Sequence, residues 1–194
     1  MARSSVRSRS IRETERVIVR SNYYWPDQQL NAWILVMLAT GGTLIGIFAV
    51  FVIDQQQLGF GIPWILPYGI TVGSLTVLFI IAMLILIYQR RLLPGVVMIG
   101  AFVLTALYIT GIVETALQLF GPASDISSHC QTYVFHNQFH GANLNTLAWL
   151  QQNSTCQSWL AVFAFWIIGA VFLTWLVILG SNVARGVIQP PPEI

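Results

Sequence analysis

Four stretches of this chain, at about 30–53, 63–88, 93–120 and 158–183, run for more than twenty residues with almost no charge. A helix of about 20 residues covers the roughly 30 Å of hydrocarbon in a bilayer, so each stretch is long enough to cross. Hydrocarbon cannot hydrogen-bond an open strand edge, which leaves helices as the only form for four separate spans. The composition agrees: 8% of residues are charged, against about 25% in a soluble domain. The fold class expected is therefore all-α, a four-helix transmembrane bundle with both termini cytoplasmic and a long second extracytoplasmic loop. No repeat or second domain is visible, and residues 23–185 read as one compact unit.

Orientation follows from the basic residues, all nine of which are Arg. Arg3, Arg7, Arg9, Arg12, Arg16 and Arg20 precede the first span, Arg90 and Arg91 lie between the second and third, and Arg185 follows the fourth. The other two connections contain no Arg or Lys. Short loops rich in Arg stay cytoplasmic, and an even number of spans puts both termini on that side.

Residues 1–22, rich in Arg and Ser, read as a disordered cytoplasmic tail. Six Arg against Glu13 and Glu15 leave a net +4 there. Each basic residue near an anionic leaflet contributes about 1 kcal/mol of attraction, so the tail arginines, with Arg90 and Arg91, are expected to contact lipid headgroups. The tail lacks the apolar core of a signal peptide. A plasma-membrane or secretory-pathway protein is expected, with the mitochondrial inner membrane as the alternative. Residues 186–194 form a Pro-rich tail ending in Pro190, Pro191 and Pro192.

The outer loop, 121–157, carries Cys130 and Cys156, the only two cysteines. An exoplasmic position permits oxidation, and two cysteines allow a single intramolecular pairing. Closing that loop stabilises by about 3–4 kcal/mol in the chain-entropy model. Asn153-Ser154-Thr155 is a glycosylation acceptor by sequence, placed close to the fourth span. His136 and His140 have the spacing of helical zinc ligands. However, Asn137 and Gln138 follow His136 where a zinc protease needs Glu, so these residues and His129 read as polar loop positions and no metal is expected.

Within the spans, Gly42 with Gly46 and Gly69 with Gly73 have the small-xxx-small spacing that lets helices approach closely. Packing inside the bundle is the expectation, with dimerisation the alternative. Glu114 is the one ionisable residue deep in a span. Intramembrane acids are functional candidates, but its nearness to the outer end of the third span favours a carboxyl hydrogen-bonded to Thr110, another helix or water. No nucleophile–base pair, phosphate-binding loop or carboxylate pair is recognisable. A non-catalytic protein without a cofactor is expected, and the short tail gives no reason to expect nucleic acid.

Cys156-Gln157-Ser158-Trp159, leading into Ala161, Phe163, Ala164, Phe165 and Trp166, together with Thr146-Leu147-Ala148-Trp149-Leu150, resembles the fungal branch of the MARVEL-domain family. The likeness covers about residues 28–185. It implies a tetraspan protein of membrane apposition, sterol- or sphingolipid-rich microdomains and vesicle traffic, with membrane lipids, other membrane proteins or further copies of itself as partners. Cys130 and Cys156 would match the outer-loop disulfide of some members. Tetraspanins need a Cys-Cys-Gly motif, and claudins place the long loop between the first two spans, so both fit worse. Two other functions remain open: an obligatory small subunit of a larger membrane enzyme, and a small transporter or channel using Glu114.

Ser4, Ser5, Ser8 and Ser10 lie among the tail arginines, and phosphorylation there would cancel positive charge. Changing all four to Asp is expected to release the tail from anionic vesicles, as measured by vesicle sedimentation. Unchanged binding would remove the switch.

Overall fold

The computed structural model describes residues 25, 27–57, 59, 61–89, 93–121, 126, 130–135 and 144–186. The eight tail and hairpin arginines (Arg3, Arg7, Arg9, Arg12, Arg16, Arg20, Arg90, Arg91) and the three histidines lie outside the described residues, as do Ser4, Ser5, Ser8 and Ser10. Four long helices carry the fold: α1 (Asp27–Gln57), α2 (Ile65–Tyr88), α3 (Pro94–Phe120) and α4 (Leu144–Ala184). A single π-helical turn, Cys130–Phe135, lies between α3 and α4. No strand occurs among the described residues.

Each helix is long and apolar enough to span a membrane, and at most 33% of its apolar 18-residue stretch is buried within the chain. The apolar majority that faces outward, including Leu35, Leu78, Ile99 and Phe102, fits a bilayer and would aggregate in water. The protein is a multi-pass integral membrane protein.

Local signals place the helix ends. Pro94 opens α3 behind an extended Leu93, where a missing N–H costs nothing. Gly59 turns the chain between α1 and α2 at φ 68°, a conformation that favours glycine.

The fourth helix departs from expectation. It begins at Leu144, not near residue 158, and runs for 41 residues, about 60 Å at 1.5 Å per residue. Some fourteen residues assigned to the outer loop are therefore helical. The physical reason is that hydropathy marks the membrane boundary, whereas Gly or Pro marks a helix boundary. Residues 144–157 are more polar than the span that follows but contain neither.

The helices form a ring in chain order. α3 packs most extensively on α4 and α1 on α2, while α2 with α3 and α4 with α1 close the ring through smaller contacts. α1 sends Trp33, Met37, Leu44 and Phe48 inward, all fully buried, at the three- and four-residue steps of one helix face.

Glycine decides the two tightest pairings. In α1 and α2 the backbones meet at Gly41 and Gly73, where a Cβ on Gly73 would lie 3.1 Å from the Gly41 carbonyl oxygen. In α3 and α4 the exchange is reciprocal. Trp166 of α4 covers Gly111 of α3, and Tyr108 of α3 covers Gly169 of α4. Gly69 packs as expected, against the Phe48 ring. Gly42 and Gly46 do not pack inside. Both are exposed, with nothing within 4 Å of an added Cβ. One residue is a 100° rotation on a helix, so the inward stripe takes Gly41 and turns Gly42 to the lipid side.

Gly111→Val is expected to destabilise the bundle by about 1–3 kcal/mol through overpacking against Trp166. Gly46→Val should fall within about 0.5 kcal/mol of the parent. Tryptophan fluorescence during unfolding in mixed micelles measures both.

Candidate functional site

Side chains from all four helices converge at the middle of the bundle. Trp166 is fully buried and meets Tyr108 edge-on at 5.0 Å between ring centroids. Tyr68 stacks on its other side at 6.3 Å, and Phe48 lies at 6.3 Å. Two hydrogen bonds tie this cluster across α2 and α3. The Tyr68 hydroxyl donates to the Leu107 carbonyl at 2.8 Å. Thr76 gives its only hydroxyl proton to the Val72 carbonyl, so in its 3.1 Å contact with Tyr108 the tyrosine is the donor. At another level, Trp33 Nε1 donates to the Phe172 carbonyl at 2.9 Å and joins α1 to α4. Trp166 Nε1 and the Thr115 hydroxyl are buried without a partner. Among the described residues, four aromatic rings meet inside the bundle at this level.

A second cluster lies at one end. Cys130 and Cys156 form a disulfide with their Cα atoms 5.9 Å apart. It ties the π-helical turn to the extension of α4. Trp149 Nε1 donates to the Val134 carbonyl at 2.8 Å, a second link between the same two elements. Cys130, Val134 and Cys156 make a small core of their own, with Ile126 and Trp149 packed on it. Between the turn and α4 a cleft of about 670 Å³ is lined by Ile126, Val134, Gln151, Gln152, Thr155, Trp159 and the disulfide. Trp159 stacks on Phe51 at 5.3 Å, which fastens this module to the end of α1.

Asn153 lies half-buried within α4, not in a loop, and Thr155 of the same acceptor donates to the Gln151 carbonyl. Glu114 is half-buried on α3, with the exposed Thr110 one turn away. Thr110 is a polar neighbour of the Tyr68 hydroxyl, and the Glu114 carboxyl is within electrostatic range of it. No group of three His, Cys, Asp or Glu side chains gathers among the described residues. Sequence reasoning missed the aromatic cluster. Its one signal in the sequence is Tyr68 and Tyr108, which place phenol hydroxyls inside apolar spans.

Comparison with known proteins returns no match to a family model, a curated protein or a solved structure.

The double change Cys130→Ser with Cys156→Ser should destabilise the end module by about 3–4 kcal/mol and leave the spans folded. Faster amide exchange over 144–156 with unchanged exchange in α2 and α3 is the expected result in hydrogen–deuterium exchange.

Proposed function

We propose that this protein is a non-catalytic, MARVEL-like tetraspan component that organises a membrane domain or scaffolds a membrane complex. On this reading both termini are cytoplasmic and the disulfide module is exoplasmic, as the arginine distribution argues. The observation that carries the proposal is the closed centre. With Phe48, Tyr68, Tyr108 and Trp166 packed on one another, the bundle has a solid interior, and its working surfaces are its outer faces and its disulfide end. This favours a protein that acts through contact over one that conducts solutes past Glu114.

The end module supports the same reading. A disulfide and the Trp149 hydrogen bond hold the turn in place, and a pre-organised surface binds with less ordering cost than a loose loop. Its cleft also suits the alternative role of an accessory subunit, which would receive part of a larger enzyme there.

Purification of the full-length chain from its native membrane in mild detergent separates the two. Recovery as monomers or homo-oligomers is expected, whereas a stoichiometric large enzyme partner would establish the accessory role. For the topology, a non-permeant thiol reagent applied to intact cells after mild reduction is expected to label Cys130 and Cys156. Labelling only after permeabilisation would invert the orientation.

A further inference from the structure

Glu114 stands at a definable depth. It is 20 residues from Pro94 at the start of α3, or about 30 Å, one full hydrocarbon thickness. A second count agrees. Asp54 on α1 and Glu114 on α3 each lie six residues, about 9 Å, beyond a member of the central aromatic cluster, Phe48 and Tyr108 respectively. α1 and α3 run in the same direction, so the two carboxyls share one level; Glu114 is also seven residues, about 10 Å, beyond Leu107, whose carbonyl takes the Tyr68 hydroxyl, which brings it level with the start of α2 at the disulfide end.

The surroundings of Glu114 select what can lie against it. It sits on the side of α3 that faces α2, because Leu107, on that same side, accepts the Tyr68 hydrogen bond. α2 and α3 meet less closely than the two glycine-bound pairs, and at this end Thr110 and Trp64 are exposed, so this side is open outward. Trp64 is 55% exposed at the start of α2 and packs edge-on against Tyr68 at 5.7 Å. The sole basic side chain among the described residues, Arg185, is at the opposite end of the bundle. By sequence, neither connection at the disulfide end contains Arg or Lys, while Asp54 and Asp125 add negative charge. A carboxyl and an exposed indole on a face that, among the described residues, has no basic side chain near it attract an organic cation and repel an anionic headgroup.

We propose that Glu114, Tyr68 and Trp64 form a headgroup site for a phospholipid bearing an ammonium group, such as a choline or ethanolamine lipid, in the leaflet at the disulfide end. The ammonium group lies between the Glu114 carboxylate and the Trp64 ring, and the acyl chains follow the α2–α3 seam past Leu75 and Val103. The site deepens the membrane-organising reading by naming a lipid class. It does not depend on which compartment the disulfide end faces, and its failure would leave the scaffold reading standing.

The test uses the full-length chain reconstituted in phosphatidylcholine vesicles with trace chain-spin-labelled phosphatidylcholine or phosphatidylglycerol. Electron paramagnetic resonance then gives the relative affinity for the two lipids. Glu114→Gln is nearly isosteric, and Trp64→Leu removes the ring; circular dichroism and the intact disulfide control for folding. Because the arginine tail attracts phosphatidylglycerol in every variant, the readout is the ratio between variants. The choline preference of the parent is expected to exceed that of Glu114→Gln by roughly three- to ten-fold, with a smaller drop for Trp64→Leu. Equal preference in the parent and Glu114→Gln overturns the site. So does a cross-linked dimer, or capture of an Arg-bearing transmembrane peptide, that is lost in Glu114→Gln, since either means that protein occupies this face.

Discussion

The packing of Trp166 against Tyr108, Tyr68 and Phe48 is the contact on which the bundle depends. In a bilayer the hydrophobic effect does not drive helices together, because lipid tails are as apolar as leucine side chains. Association rests instead on close packing and a few interhelical hydrogen bonds. Trp166 supplies the first, touching a ring from each of the other three helices. The reciprocal glycines make it possible. Gly111 leaves room for the indole and Gly169 for the phenol, so α3 and α4 interlock where two larger side chains would hold them apart.

The hydrogen bonds from Tyr68 to Leu107, Tyr108 to Thr76 and Trp33 to Phe172 then fix the ring of helices. Such bonds contribute about 1 kcal/mol each in membranes, less than the rings they orient. Their value lies in register. A carbonyl or hydroxyl partner exists at one depth only, so a helix that slid by a turn would leave a polar atom unpaired in hydrocarbon. The α2–α3 seam has two of these bonds and the Phe79 ring laid over Gly100, and the polar positions Thr110 and Glu114 lie along this side of α3.

The disulfide end is a separate level of organisation. α4 is about 60 Å long, and with Trp159 level with Phe51 its first turns extend past the end of α1 as a post. Cys130–Cys156 and Trp149 strap the π-helical turn to that post, while Trp159 on Phe51 couples it to the spans. A rigid platform over an interlocked bundle suits a protein that holds other molecules in place.

Much of this was legible without coordinates. Long uncharged segments separated by short polar turns leave only helices, since hydrocarbon forbids the alternatives, and the isolated Cys130 and Cys156 had only each other to pair with. The wheel position of glycine was not legible, because Gly41, Gly42 and Gly46 are equally small and only the neighbouring helix decides which one faces it. Nor was the helical start at Leu144, because polarity reports solvent and not backbone conformation. The sequence by itself determined the spans, the disulfide and the one-sided charge, all of which follow from solvation and covalent chemistry along a single chain. Only the tertiary structure decided that Trp166 is the hub and that Glu114 turns to the side of α3 where Tyr68 makes its hydrogen bond. Those facts depend on how four helices rotate about their axes, which no single helix specifies.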